Sequence, residues 1–402
     1  MKIDRFTGIN NRQPIDRIKP TDAGMPVHDA VNVDLSASGT FQTRAGFELA
    51  TEAQNPRSLF PVNSIGAFVA VGSQLMRFSG SSLAYVADLA SPYASVGYAK
   101  TPNGIVWSDG FNMGLVRNWI NGPLLPATPN PVPSVVASSG GALPAGTYGV
   151  SFASLMPDGR RSPMTVPVYV DVVEGGRLDF TTTAQPLPVV VFVTAGNGDV
   201  FYKSGTVQSG TVSIGIDQQS GEVVAYEPTE MIPPGRALAW HDGRLLSAVG
   251  PMLYHSQPFS MGLHRPATDF IPFPDDIRLI APLNPGVLIV ATESSHWLIS
   301  GSLAQPESMV EIAPYGAVAG TITEVPNSKA LMWFTPRGQV SASPGGELAL
   351  LQDRQIQFPR ASTGAGVFRE TNGMRQYIAS LSNPVPSGAV VARSFIDARV
   401  IE

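Results

Sequence analysis

Short apolar runs alternate with turn residues along this chain, and one unit of that pattern recurs six times. The unit is an apolar strand, a tight turn and a second strand. It reads Phe68-Val69-Ala70-Val71, then Gly72-Ser73, then Leu75-Met76-Arg77-Phe78. It returns as Ile105-Val106-Trp107 / Ser108-Asp109-Gly110 / Gly114-Leu115-Val116 and as Leu245-Leu246-Ser247-Ala248 / Val249-Gly250 / Met252-Leu253-Tyr254. Two further copies are Val287-Leu288-Ile289-Val290 / Thr292-Glu293-Ser294 / His296-Trp297-Leu298-Ile299 and Ala330-Leu331-Met332-Trp333-Phe334 / Pro336-Arg337-Gly338 / Gln339-Val340-Ser341. A weaker sixth begins at Met374-Arg375-Gln376-Tyr377-Ile378.

A turn signal precedes each copy: Asn63-Ser64, Asn103-Gly104, Asp242-Gly243, Pro285-Gly286, Asn327-Ser328 and Asn372-Gly373. The second residue of the pair recurs after 40 residues (Ser64 to Gly104), 43 (Gly243 to Gly286), 42 (Gly286 to Ser328) and 45 (Ser328 to Gly373). A period of about 40–45 residues with several short strands in each is the signature of β-propeller blades. One small twisted sheet cannot bury both faces alone, whereas neighbouring sheets packed about an axis can. The expected fold class is therefore all-β, a propeller of about six blades. The 139 residues from Gly104 to Gly243 exceed one blade by about a hundred, which is room for an inserted domain.

That interval opens on Pro123, Pro126, Pro129, Pro131 and Pro133, then Ser138-Ser139-Gly140-Gly141, a linker composition. Alternating strands follow at Leu143 to Ala153, Thr165 to Val172, Arg177 to Phe180, Val189 to Val193, Val200 to Tyr202 and Val212 to Ile214. About seven such strands in a hundred residues indicate a fibronectin-III-like β-sandwich. The expected division is an N-terminal arm at 1–57, propeller at 58–130, inserted sandwich at 131–232, propeller again at 233–382 and a C-terminal tail at 383–402. The arm is polar and turn-rich and ends in an expected hairpin, Val31 to Ser36 against Thr40 to Arg44. Such arms are usually loose in an isolated monomer, so neighbouring subunits are the expected support.

Composition agrees with many turns joining short strands. Of 402 residues, 40 are Gly and 36 Pro, and charged residues make up 14%. No run with helical periodicity exceeds about two turns. The net charge of −5 disfavours a protein that grips nucleic acid by its phosphates, and does not exclude a channel through which DNA slides without sticking. There are no cysteines, which removes disulfides and thiolate metal sites. Met1-Lys2-Ile3-Asp4-Arg5 lacks an apolar signal region, and no stretch reads as a bilayer span. The expectation is a soluble protein used without secretion machinery.

The candidate chemistry is sparse. Asp275-Asp276 are adjacent and, in a strand, would face opposite ways, a poor acid–base pair. Ser108-Asp109-Gly110 is similar to the sialidase Asp box but lacks its second spacer and occurs once. Glycoside hydrolysis needs two carboxylates at a set separation, for which Glu293 and Asp353 are the unplaced candidates. His28, His241, His255, His264 and His296 lie far apart with no metal-ligand spacing. Asp158-Gly159-Arg160 and Asp242-Gly243-Arg244 read as hairpin turns whose arginines can pair across an interface. Trp107, Trp240, Trp297 and Trp333 read as blade-packing residues at equivalent strand positions; a sugar platform is the sharper alternative. No catalytic, cofactor or metal residue is assigned, and no cofactor is expected.

Several segments carry a family resemblance. Phe6-Thr7-Gly8-Ile9-Asn10, Ala30-Val31-Asn32-Val33-Asp34-Leu35-Ser36-Ala37-Ser38-Gly39 and Arg44-Ala45-Gly46-Phe47 form one group. Pro157-Asp158-Gly159-Arg160, Trp240 to Leu245, Leu253 to Pro258 and Ala313 to Gly320 continue it in order. Together they resemble the tail nozzle, or tail hub (stabilisation), proteins of short-tailed bacteriophages. The resemblance implies a non-enzymatic virion subunit, made in the host cytoplasm, of which six copies form a tube below the portal and its adaptor. The tube would retain and conduct double-stranded DNA and anchor tail fibres or spikes. A receptor- or glycan-binding module and a propeller glycosidase are the alternatives.

Overall fold

The computed structural model describes residues 5–31, 33–35, 39–43, 48–63, 66–216, 222–224, 228–351, 356, 361–371, 374–382 and 394–399. The described residues are all-β: many small sheets, almost all antiparallel, and a single 3-10 turn at Ile15–Arg17.

Six of these sheets follow the repeat. Sheet I joins Arg57–Asn63, Gly66–Val71, Gln74–Ser79 and Ser82–Asp88 in chain order. Sheet II joins Gly97–Thr101, Gly104–Ser108, Met113–Arg117 and Ile120–Pro123. Sheet III joins Ala237–His241, Arg244–Val249, Met252–His255 and Phe270–Pro272. Sheet IV joins Ile277–Pro282, Val287–Thr292, His296–Ser302 and Gln305–Ala313. Sheet V joins Thr323–Glu324, Leu331–Thr335, Gly338–Ala342 and Leu348–Leu350. Sheet VI joins Thr363–Thr371, Met374–Ser382 and Ser394–Arg399. The recurrent unit of the sequence is thus the middle hairpin of sheets I–V, their most apolar part. In three-stranded sheet VI the weaker sixth copy is the central strand, Met374–Ser382.

The apolar residues lie between sheets. Phe68, Leu75 and Val86 of sheet I pack with Trp107 and Val116 of sheet II. Ala99, Val106 and Leu115 of sheet II pack with Leu238 and Leu245 of sheet III. Leu246 and Leu253 join Ile280, Leu288 and Val290 of sheet IV, and Leu279 and Ile289 join Trp333 and Val340 of sheet V. Met332 and Phe334 join Tyr377 and Leu381 of sheet VI. The first strand of sheet VI in turn touches the first strand of sheet I. Each fully buried side chain contributes about 1.5–3 kcal/mol, and much of that contribution requires the neighbouring sheet.

Between sheets II and III the chain builds a separate unit. One sheet joins Ser134–Leu143, Gly176–Thr182 and Gly210–Ile214. The other runs in the order Val168–Val172, Gly146–Ser154, Val189–Thr194, Phe201–Val207, Val223–Val224. Tyr148, Val150, Phe152, Leu178, Phe180, Val191 and Ile214 from both sheets fill one core.

Some expectations change. Ser138-Ser139-Gly140-Gly141, read as linker, continues the strand Ser134–Leu143 through a register shift opposite Gly176. A Cβ on Gly141 would stand 2.2 Å from the Gly176 carbonyl oxygen, so the glycine permits the bulge. Arg57 opens sheet I rather than closing the arm. The expected arm hairpin pairs Val33–Leu35 with Phe41–Thr43. The expected C-terminal tail lies outside the described residues except for Ser394–Arg399.

Candidate functional site

The polar residues singled out by the sequence are found at junctions. Asp109 is fully buried in the turn after Gly104–Ser108. Its Oδ1 accepts from the backbone N–H groups of Phe111 (2.9 Å) and Asn112 (2.7 Å), and its Oδ2 accepts from Ala90 N–H (2.6 Å). The turn is thereby tied to the connection between sheets I and II. Arg57 holds the same connection from the other side. Its Nε donates to Ala94 O (2.7 Å) and its Nη2 to Gly72 O (2.8 Å) and Ser91 O (3.2 Å).

Asp158-Gly159-Arg160 joins the insert to sheet II. Arg160 Nη1 donates to the carbonyls of Pro123 (2.8 Å) and Leu124. Asp158 takes Arg160 Nε (3.0 Å) and Nη2 (2.9 Å) on one side and Arg117 of sheet II on the other. The bonds from Arg160, with its charge and that of Arg117, hold the carboxyl down at about 2. The arginine crosses an interface, as expected for such a turn, but the interface lies within one chain.

Asp242-Gly243-Arg244 is also divided between neighbours. Asp242 Oδ2 accepts from Gly286 N–H of the sheet IV hairpin (2.7 Å) and stands 3.2 Å from His241 Nε2. Arg244 turns inward, donating to Ser256 O (2.8 Å) and to His255 Nδ1 (3.3 Å). His255 Nδ1 also stands 3.4 Å from Ser256 O, and its Nε2 is buried with no partner among the described residues. Burial lowers the His255 pKa, with Asp269 opposing. Asp269, fully buried, is held by Arg265 through Nε (3.0 Å) and backbone N–H (2.9 Å). Nearby, Ser247 Oγ donates to Pro233 O (2.6 Å) and accepts from Gly235 N–H (2.8 Å), pinning the chain where it returns from the insert.

His296 links sheets IV and V. Trp333 Nε1–H donates to its Nε2 (2.9 Å), which leaves the proton on Nδ1 to be donated to Tyr315 O. The two rings stack at 5.7 Å and 22°. Burial lowers the imidazole pKa to about 4, so the ring is neutral at pH 7. The four tryptophans are not equivalent, contrary to expectation. Trp107 and Trp333 lie buried in second strands, whereas Trp240 and Trp297 lie half-buried in a first and a third strand.

Of the glycosidase candidates, Glu293 pairs with Arg278, and Asp275 accepts from Ser294 Oγ. Asp353 lies outside the described residues. His28 sits in the arm, and His264 pairs with Glu230 in a two-residue bridge. Among the described residues no group of three His, Cys, Asp or Glu is arranged to hold a metal. A cavity of about 470 Å³ opens beside the sheet I–II connection, lined by Ala90, Ser91, Tyr93, Ala94, Phe111 and Arg236. Tyr93 (81%) and Phe111 (64%) are strongly exposed. Sequence reasoning missed this group because its members belong to three turns that show no shared pattern.

No family model matches this chain, and no curated protein matches it. Among solved structures it is similar to the AfRom2 CNH domain at a TM-score of 0.26 and 8% identity, over 84% of this chain and 96% of that one. A similarity of that size carries no argument.

Proposed function

We propose that the chain is a structural subunit of a phage tail nozzle, a six-bladed β-propeller carrying a fibronectin-III-like sandwich. In this reading six copies close a ring below the portal adaptor in the virion tail, conduct double-stranded DNA and anchor fibres or spikes, without catalysis. The observation that carries it is the use of polar residues as joints. Asp109, Asp158, Arg160, Asp242 and His296 each bind a backbone or side chain of an adjacent element. Such joints stiffen a scaffold. Consecutive shared cores and the approach of sheet VI to sheet I support the propeller. The two sheets around one core support the sandwich.

Phe6-Thr7-Gly8-Ile9 and the segment about Val33–Leu35, which carry the family resemblance, lie in the arm, where a ring would need contacts between copies. Electron microscopy of the purified protein tests the reading. A ring with a central channel is expected, and a uniform population of single subunits would overturn it. Deleting residues 1–48 should leave the sheets folded and abolish the ring.

The cavity flanked by Tyr93, Phe111 and Arg236 favours a second reading, a receptor- or glycan-binding module. A glycan array screened with wild type and Tyr93→Ala decides it: sugar binding lost in the variant supports the module, and its absence removes it.

A further inference from the structure

Two regions of the surface are complementary and lie apart on the chain. The first is the beginning of the arm. Residues 5–19 hold Arg5, Arg12, Arg17 and Lys19 against Asp16 alone. No residue of 5–19 is buried, so no side chain there is fully removed from water. Ile15 is 75% exposed. Ordering each residue costs about 1–2 kcal/mol of backbone entropy, and this segment has no core of its own to offset that.

The second region is the insert. Residues 131–232 contain four Lys or Arg and nine Asp or Glu, which equals the whole net charge of −5. Its strand Val168–Val172 is an edge, paired on one side only with Gly146–Ser154. Exposed apolar side chains mark that edge: Val166 (79%), Tyr169 (66%) and Val173 (73%). Asp171 and Glu174 stand among them, exposed and negatively charged. An exposed apolar edge is a template for pairing with another chain, and acidic residues along it select a basic one.

Within one molecule the two regions are anchored to different sectors. Arg12 Nε donates to Ile356 O (3.3 Å), in the connection between sheets V and VI. The insert is held on sheet II by Arg160 and Asp158. In a ring of six sheets those sectors lie on opposite sides. Complementary patches on opposite sides give head-to-tail contacts, which close into rings when the rotation allows.

We propose that the basic start of the arm of one copy, residues 5–19, lies along the Val168–Val172 edge of the insert of a second copy. The inference rests on the ring assembly proposed above and names the surfaces that make it. Apolar contact between the exposed Ile15 turn and the side chains along the edge supplies the adhesion, and charge sets the register and the partner.

The chain contains no cysteine, so an introduced pair reports cleanly. Ile15→Cys and Val168→Cys, made in separate molecules and mixed under mild oxidation, should give a disulfide-linked dimer; neither variant alone should. In parallel, Arg17→Glu with Lys19→Glu should weaken assembly about tenfold or more, as should Asp171→Lys with Glu174→Lys. Mixing the two charge variants should restore association to within about threefold of wild type. Rings that form normally with no cross-link and no charge effect would overturn the pairing and leave the ring standing. A wild-type protein that stays monomeric at every concentration would overturn both.

Discussion

The insert and the six sheets around it use the same strands and turns but are stabilised in opposite ways. In the insert, two sheets face one another and Tyr148, Phe152, Phe180 and Val191 meet in a core that belongs to it alone. In sheets I–VI most large apolar residues meet a residue from the next sheet. Trp107 completes sheet I, Leu245 completes sheet II, and Trp333 completes sheet IV. A region with a private core can fold and unfold by itself. Sheets that share cores form one cooperative unit, as in repeat proteins, where the interface between repeats carries much of the stability.

Excision breaks this comparison most sharply. Residues 131–232 expressed alone should fold with a cooperative thermal transition, whereas residues 97–123 should show no strand signal by circular dichroism. Next in size is a single shared-core residue. Trp333→Ala should cost about 3–5 kcal/mol in denaturant unfolding and lower the stability of sheets IV and V together. Phe180→Ala should cost a similar amount but move only the transition of the insert.

Acid gives a smaller and directional test. The His296 pKa is lowered by burial from 6.5 to about 4, and His241 and His255 are lowered for the same reason. The unfolded chain binds these protons first, so stability should fall as pH drops from about 6.5 to 4. His296 alone contributes up to about 3 kcal/mol of that loss. A His296→Gln variant should flatten the slope in urea melts, and an unchanged slope would contradict the neutral buried ring. Asp158 acts in the same direction over a lower pH window. Its folded pKa is lowered to about 2, so the stability it lends is complete above about pH 4 and is lost towards pH 2. The effect is smallest here, because the latch is partly solvated. Asp158→Asn should cost about 1 kcal/mol or less and should raise proteolysis in the Pro123–Pro133 connection several-fold while both regions stay folded.

The middle hairpins of sheets I–V were legible in the sequence because both their strands are apolar on the faces that meet neighbours. The outer strands were less so. Thr323–Glu324 is two residues long, and Gln305–Ala313 is exposed over most of its length and lacks a regular alternation of apolar and polar residues, so neither has a pattern to detect. Ser138 to Gly141 resembles a linker in composition, yet the bulge opposite Gly176 makes it strand. The joints were legible only as residue types. Asp158-Gly159-Arg160 was recognisable as a turn, but nothing in the sequence names Arg117, 41 residues away, as its partner. The hydrogen bond from Trp333 to His296 spans 37 residues and likewise arises only on folding.

Native-state hydrogen exchange tests the shared-core account most directly. It predicts that strand amides of sheets I and VI, far apart in sequence, open with one common free energy, distinct from that of the insert. If sheet VI exchanges fully while sheet I stays protected, the sheets do not form a closed cooperative ring, and the account fails.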